Sequence, residues 1–330
     1  MTSMAERFTV RFYMNTPNRP KNDFGFFDDG VLEVGPDAVT LSGKVHRSFR
    51  FARQHAERIE QQNVWNAWSD RDEIIFDCRD GNKLRTVGFT VSSPNDSRRI
   101  MELLPMQQTK DYAVRQTERE VFYDRIQHWS PGSPVMWTIL AVNVAIFGLM
   151  WLAGVYKNPS TTALALVKWG SNFGLLTAHG QWWRLVSSMF LHGGALHILF
   201  NMVALVQIGG LVERLFGSSR FIALYLLAGV CGSFASLWWT HGVGNSVGAS
   251  GAIFGLMGGL LAFLRNPHSG VPATVVKDLR GSATGFILFN IFAGFVYPHT
   301  DNAAHIGGLV GGYLAGLLLA RSLHVPGARA

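Results

Sequence analysis

The sequence of 330 residues predicts a polytopic α-helical membrane protein that is preceded by a small, mainly β domain. Residues 131–330 contain long apolar runs and only 10 Lys and Arg against 3 Asp and Glu. Residues 1–130 contain 19 residues of each sign and short runs of β-forming residues. We therefore expect four parts. These are a soluble, cytosolic β domain at 1–106, a charged helical linker at 107–130, a membrane domain at 131–322 and a short cytosolic tail at 323–330.

The N-terminal part is expected to form several antiparallel strands and one helix. Runs rich in β-forming residues lie at 31–34, 38–41, 48–51, 73–78 and 84–91. The sequence Arg79-Asp80-Gly81-Asn82 suits a hairpin turn, and Ser93 followed by Pro94 suits the start of a helix. Strands followed by one C-terminal helix resemble a pleckstrin-homology-like (PH-like) domain in architecture only. Because its acidic and basic residues balance, the sequence does not decide whether this domain binds a protein or a lipid.

Uncharged apolar runs predict six membrane-spanning helices, since about 20 apolar residues cross a bilayer. The run at 221–264 has no charged residue and is divided into two helices by a polar stretch at 240–246. The other four runs lie at 135–155, 185–211, 282–297 and 303–320. The chain is therefore expected to form a six-helix bundle.

The Lys and Arg residues of the loops predict the orientation in the membrane. With the N-terminus in the cytosol, the inside loops and tail hold seven of them and the outside loops hold three. The positive-inside rule favours this arrangement, so both termini are expected in the cytosol. No organellar targeting segment is visible, which favours a bacterial inner membrane. The positive charge is sparse and scattered between apolar runs, which argues against nucleic acid as a partner.

One serine and one histidine lie at the starts of two predicted spans. Ser250 belongs to Gly248-Ala249-Ser250-Gly251 and begins the fourth helix, and His305 begins the sixth. Roughly 22 Å of helix separates Ser250 from the cytosolic face, which places it below the outer surface of a hydrocarbon core about 30 Å thick. Glycines on both helices permit close contact. Ser250 and His305 are therefore candidates for nucleophile and general base in a site that opens to the outer side.

The second predicted span supplies polar groups in the same outer half. His197 and Asn201 are four residues apart and share a face, with His192 just above them. Their N–H groups are candidates to bind a developing oxyanion beside the Ser250 amide, and Gly248 permits close approach of the backbone. The alternative is that they hold the bundle together by hydrogen bonds between helices. The cost of polar groups this deep in a span favours a functional role.

Taken together, five motifs resemble the rhomboid family of intramembrane serine proteases over about residues 135–321. They are Trp183-Arg184, His197-x-x-x-Asn201, Glu213-Arg214, Gly248-Ala249-Ser250-Gly251 and His305-x-x-Gly308-x-x-x-Gly312. The resemblance implies a Ser250–His305 dyad without a catalytic acid, and an oxyanion site formed by His197, Asn201 and the Ser250 amide. It also places Trp183 and Arg184 in a first loop that dips into the membrane.

Phe254 departs from the family pattern, which often has tyrosine stacked on the histidine at this position. Phenylalanine keeps the ring and loses only the hydroxyl, so the resemblance still implies an active enzyme.

These observations lead to the hypothesis of a serine endopeptidase that hydrolyses bonds in or near the transmembrane segments of membrane proteins. Such an enzyme needs no metal or organic cofactor, and its partners are transmembrane substrates and membrane lipids. Zinc and aspartyl intramembrane proteases are excluded, because the sequence has no His-Glu-x-x-His and no aspartate in a predicted span. The alternative is an inactive rhomboid-like protein that binds transmembrane helices and directs their trafficking or degradation. Retention of both Ser250 and His305 favours the enzyme.

Overall fold

The structure is a computed structural model that describes residues 5–13, 22–48, 51–296 and 300–321, together with Leu323 and Val325. The chain forms two compact units, Met1–Thr117 and Glu118–Ala330. Apart from Leu323 and Val325, the predicted tail at 323–330 lies outside the described residues. The limits predicted for the four parts of the chain stay a prediction.

The first unit is an antiparallel sheet of seven strands, curled as a half-barrel and followed by one helix. The strand order is β4-β3-β2-β1-β7-β6-β5. This confirms the expected mainly β domain with its C-terminal helix, while the likeness to PH-like domains stays a prediction. The elements are β1 Glu6–Phe12, β2 Phe26–Val34, β3 Ala38–Ser48, β4 Phe51–Glu60, β5 Val64–Asp70, β6 Glu73–Asp80, β7 Lys83–Val91 and α1 Pro94–Leu103.

One face of this sheet is apolar because alternate side chains along each strand point the same way. Leu32, Phe76 and Phe89 are fully buried there, and Ile100 of α1 packs onto them. The helix begins as its sequence predicts, since the Ser93 side chain accepts a hydrogen bond of 3.2 Å from the Asp96 amide and Pro94 lies in the first turn.

Three strands, β1, β4 and β5, were not predicted. The run predicted at 48–51 includes residues 49 and 50, which lie outside the described residues; Ser48 ends β3 and Phe51 begins β4. β4 lies at an edge of the sheet, and most of its described side chains are exposed and polar, which removes the alternating pattern. In β5 the register shifts between Trp65 and Trp68, and this irregularity breaks the period of two.

Within the residues that the structure describes, the second unit contains six apolar helices, which makes the chain a multi-pass membrane protein. Five of them, α3, α7, α8, α10 and α11, are long enough to cross a bilayer, whereas α9 has 14 residues. The helix α2, Lys110–Trp129, begins in the first unit and ends in the second. The remaining helices are α3 Pro134–Leu152, α4 Pro159–Trp169, α5 Gly174–Ala178, α6 Arg184–Ser187, α7 Ala195–Phe216, α8 Ser218–Trp239, α9 Ser250–Phe263, α10 Ala273–Val296 and α11 Asn302–Leu319.

The second span begins later than the predicted 185–211. The chain there forms the short helix α6, a 3-10 turn at Ser188–Phe190 and a non-helical stretch at 191–194, before α7 starts at Ala195. Two consecutive glycines, Gly193 and Gly194, explain the break, because glycine weakens a helix interior. The prediction that His192 lies within this span is therefore wrong, since it precedes α7.

The short helix α9 is enclosed by the other helices, with 12 of its 14 residues buried. Its glycines pack directly on the backbone of α11. A Cβ atom added at Gly308 would collide with the carbonyl oxygen of Gly251, and one added at Gly312 would collide with the backbone of Gly255. Because backbone touches backbone here, the register between the starts of α9 and α11 is fixed.

Glu213 ties three helices together where α7 ends. Its carboxylate is buried and accepts hydrogen bonds from the amides of Val135 at 3.0 Å and Met136 at 2.7 Å, in the first turn of α3. It also accepts one of 2.7 Å from the hydroxyl of Ser218, where α8 begins. A negative charge at a helix N-terminus is stabilising. This contact gives the Glu213-Arg214 motif a structural role.

Candidate active site

Ser250 and His305 meet at the starts of two adjacent helices. Ser250 is the first residue of α9, and His305 lies in the first turn of α11. The His305 Nε2 and Ser250 Oγ atoms are 3.0 Å apart. With its other ring nitrogen protonated, the imidazole accepts the hydrogen bond from the serine hydroxyl. This is the distance at which a general base takes a proton from a nucleophile.

The His305 ring is held by stacking. The ring of Phe254, one turn after Ser250, is parallel to the imidazole, with 4.3 Å between centroids and an angle of 4°. Within the described residues, His305 Nδ1 has no hydrogen-bond partner. The Asp301 carboxylate accepts a hydrogen bond of 2.9 Å from the Ala304 amide and so caps α11. Among the described residues, His305 therefore contacts Ser250 through Nε2, while the Asp301 carboxylate bonds the backbone of α11.

His197 and Asn201 face the turn that leads into Ser250. Gly248 in this turn has a φ of +124°, which favours glycine, and an added Cβ would lie 2.8 Å from His197 Nε2 and 3.9 Å from Asn201 Nδ2. The Gly193 amide donates to His197 Nδ1 at 3.3 Å. Nδ1 is therefore the acceptor of the neutral ring, and Nε2 carries the hydrogen that faces Gly248.

Two potential donors to an oxyanion, His197 Nε2 and Asn201 Nδ2, thus lie beside the turn that precedes Ser250. Asn201 Nδ2 donates one hydrogen to the His197 carbonyl at 2.9 Å, which leaves its second hydrogen available. The first amides of α9 have no acceptor within the helix. The turn itself is fixed by a hydrogen bond of 2.9 Å from the Gly248 amide to the Ser188 carbonyl. Ser250 is partly exposed, so water and substrate have access to it.

His192 is brought against His197 rather than against Ser250. The two imidazole rings meet edge to face, with centroids 5.2 Å apart. The His192 carbonyl accepts a hydrogen bond of 2.6 Å from the hydroxyl of Tyr156. The His192 ring is fully buried. Its place is therefore behind His197, where it supports the orientation of that ring.

Trp183 and Arg184 hold the first loop together. The buried Arg184 guanidinium donates to the carbonyls of Val167 at 2.8 Å and Ser171 at 3.0 Å, and to Gln181 Oε1 at 2.7 Å. Trp183 is 54% exposed, and its ring lies over the guanidinium. These contacts support the loop's shape and give neither residue a direct part in the chemistry.

The sequence did not reveal several groups that shape the site. The Ser188 carbonyl, the Gly193 amide and the Tyr156 hydroxyl each fix a predicted site residue. Two of them are backbone groups, which every residue possesses, so no residue type marks them. Tyr156 could have been noticed only as a polar aromatic residue at the end of the first span.

Comparison with known proteins agrees with this arrangement. The family model of the Rhomboid domain matches residues 179–322. Rhomboid protease GluP of Bacillus subtilis (strain 168) is 36% identical over 211 residues, which is 64% of this chain and 38% of that protein. RHOMBOID-like protein 5 of Arabidopsis thaliana is 40% identical over 148 residues, which is 44% of this chain and 46% of that protein. The chain thus spans less than half the length of these two relatives.

A third relative is matched over most of its length. Rhomboid protease AarA of Providencia stuartii is 30% identical over 199 residues, which is 54% of this chain and 69% of that protein. The match to the Rhomboid domain, residues 179–322, contains Ser250 and His305 together with the helices that carry them. The chain therefore belongs to the rhomboid family.

Proposed function

We propose that this protein is an intramembrane serine endopeptidase with a Ser250–His305 dyad. The observation that carries the proposal is the distance of 3.0 Å between Ser250 Oγ and His305 Nε2 at the start of a helix enclosed in an apolar bundle. Membership of a family that includes proteins named as proteases supports it. A purely structural pairing would not require N–H donors beside the turn that leads into the nucleophile in addition to a base.

The chemistry needs two acyl-transfer steps. Ser250 Oγ attacks the substrate carbonyl carbon while His305 Nε2 takes the hydroxyl proton, and the oxyanion is bound by His197 Nε2, Asn201 Nδ2 and the Ser250 amide. The C–N bond then breaks and His305 gives the proton to the leaving amine. Water, activated by His305, attacks the acyl-enzyme and releases the acid. No metal or organic cofactor takes part.

The substrates are transmembrane proteins whose helix unwinds easily near the cleaved bond. In an intact helix every carbonyl within the bilayer is hydrogen-bonded, so it has to be freed before Ser250 can attack it. We expect cleavage after a small residue in proteins with a single span. Gly248, in the turn before Ser250, has no side chain, so no bulky group stands at this side of the nucleophile.

A serine-reactive fluorophosphonate probe is expected to label the full-length protein at Ser250. Ser250→Ala should abolish labelling, because among the described residues this is the one serine whose hydroxyl lies at hydrogen-bond distance from a histidine nitrogen. Ser236→Ala is the control, since Ser236 is buried in the bundle, unlike the partly exposed Ser250, and its replacement should not affect labelling. Labelling would be read by gel fluorescence and peptide mass spectrometry. Undiminished labelling of folded Ser250→Ala would refute the assignment of the nucleophile.

We also propose that the bundle lies in a bacterial inner membrane with both termini in the cytosol and the site towards the outer side. One end of the bundle, here named the basic end, is where α3 begins and α7 ends. It carries Arg214, Arg220, Arg265, Lys277, Arg280 and Arg321, whereas the loops at the other end carry Lys157, Lys168 and Arg184. This bias supports a cytosolic basic end.

Cysteine labelling tests this orientation. In a Cys231→Ser background, Val243→Cys should react with a membrane-impermeant maleimide in intact cells, because Val243 is exposed in the loop between α8 and α9. His268→Cys, in the exposed loop between α9 and α10, should react only after lysis. The reverse pattern would overturn the orientation. The remaining native thiol, Cys78, is buried, and its pKa is raised to about 12 by that burial, so it contributes little background.

A further inference from the structure

A cavity lies at the basic end of the bundle, apart from Ser250 and His305. It has a volume of about 530 Å³ and is enclosed by α2, α3, α7, α9 and α10. Two of the side chains that line it are exposed, Trp137 of α3 by 54% and Val206 of α7 by 40%. Because exposed apolar side chains on a span face lipid, the cavity opens towards the lipid around the bundle.

The lining of this cavity is polar at its mouth and apolar within. Arg214, Ser133 and Tyr123 lie at the basic end, where α7 finishes and α3 begins. Met136 and Leu260 line it further in. A ligand that fits this lining has a polar head level with the membrane surface and an apolar body directed into the bilayer.

Arg214 presents a cation that has no counter-charge among the described residues. Its terminal nitrogens donate to Gln127 Oε1 at 3.0 Å and to the Pro131 carbonyl at 3.3 Å, both neutral acceptors. Its Nε atom is buried and has no hydrogen-bond partner within the described part of the chain. The neighbouring carboxylate of Glu213 is occupied by Val135, Met136 and Ser218. An anion at the mouth would supply the missing acceptor and neutralise this charge.

The size of the cavity distinguishes between two possible occupants. A membrane-spanning helix about 10 Å wide and 30 Å long would fill roughly 2,400 Å³, which exceeds the space in this cavity. The observed volume of about 530 Å³ falls within the range of roughly 300–1,000 Å³ typical of small-ligand sites. It therefore suits a lipid chain better than a substrate helix.

We propose that this cavity binds one anionic phospholipid from the leaflet at the basic end. The phosphate lies at Arg214, and an acyl chain fills the apolar part beside Met136 and Leu260. Basic pockets between membrane helices attract anionic headgroups in this way. The bound lipid fills the space between α7 and α10.

Lipid retention tests the proposal on the full-length protein. The protein is reconstituted into vesicles of equal phosphatidylcholine and phosphatidylglycerol, extracted in mild detergent, and its retained lipids are measured by native mass spectrometry. The wild type should retain about one phosphatidylglycerol per chain, at least fivefold more often than phosphatidylcholine. Arg214→Gln, checked for folding by thermal unfolding, should lose this preference.

Gly210→Leu provides the sharper variant because it adds volume and removes no contact. A Cβ at Gly210 would lie 3.6 Å from Ser133 Oγ and 3.9 Å from Met136 Cε, so the rest of the leucine enters the cavity. Retention of phosphatidylglycerol should fall at least fivefold. Gly281→Leu is the matched control, since a Cβ there meets open space, and it should retain lipid like the wild type. Equal retention of the two lipids by the wild type, or unchanged retention in Gly210→Leu, overturns the proposal. Displacement of the lipid by a single-span substrate would also overturn it, because the cavity would then belong to substrate binding.

Discussion

Replacement of His305 by alanine is expected to lower the rate of substrate cleavage by about four orders of magnitude, as is Ser250→Ala. The reason is that the two side chains act as a unit, joined by a hydrogen bond of 3.0 Å. Without the base the hydroxyl remains protonated, and without the hydroxyl the base has nothing to activate. The double variant should therefore be no slower than either single variant. Rates would be measured in liposomes that contain a single-span substrate.

Two further substitutions separate the dyad from its surroundings. Phe254→Leu removes the ring stacked on His305 but leaves the base in place, so we expect a smaller loss of about tenfold. Asp301→Asn should change the rate by less than about threefold, because asparagine also caps a helix and the carboxylate bonds the Ala304 amide. A loss in Asp301→Asn as large as that in His305→Ala would show that a catalytic acid is required. If folded His305→Ala cleaves substrate at a rate within tenfold of the wild type, His305 is excluded as the base.

Gly308→Val and Gly312→Val are expected to prevent α9 and α11 from packing together. At both positions the added side chain would meet backbone atoms of the facing helix, at Gly251 and Gly255, and backbone cannot move aside as a flexible side chain can. Overpacking of a core typically lowers the free energy of unfolding by about 1–3 kcal/mol. We expect each of these two substitutions to cost about 3 kcal/mol or more, because backbone is what the new side chain meets. In a unit of this size that corresponds to a fall of about 10 °C in the midpoint of thermal unfolding.

The same two variants should also lose cleavage, because the contact between α9 and α11 sets the distance between Ser250 and His305. Gly148→Val is the matched control. It lies in α3, where an added Cβ would meet nothing within 4 Å, and we expect it to unfold within about 2 °C of the wild type. Thermal unfolding in detergent measures the stability of the two variants and of the control. Wild-type stability in Gly308→Val would mean that the two helices are not in backbone contact.

The approach of Ser250 to His305 could be inferred from the sequence because it depends on periodicity. Glycines that follow His305 at intervals of three and four residues stay on one helix face, and such a stripe allows two helices to touch. The structure has this contact, with Gly308 and Gly312 against α9. The catalytic roles of the two residues are a separate matter and stay a prediction.

The orientation of the donors to the oxyanion could not be inferred in the same way. The tautomer of His197 follows from an amide at Gly193, and the turn at Gly248 follows from a carbonyl at Ser188. Every residue has a backbone amide and carbonyl, so the sequence does not indicate that these two groups take part in the site. The position of His192 outside the second span could not be inferred either, because only the folded chain reveals that Gly193 and Gly194 interrupt the helical run before α7. In the first unit, the edge strand β4 lacks the alternation by which a strand is recognised.

The most direct test of the proposed function is the fate of one single-span membrane protein in liposomes that contain either the wild type or Ser250→Ala. Mass spectrometry of the products locates the cut. We expect the wild type to yield two fragments that meet within or next to the transmembrane segment, and Ser250→Ala to yield none while still binding the substrate. The same fragments from folded Ser250→Ala would contradict the account. So would a folded wild type that binds transmembrane helices and cleaves none of them, which is the behaviour of an inactive rhomboid-like protein.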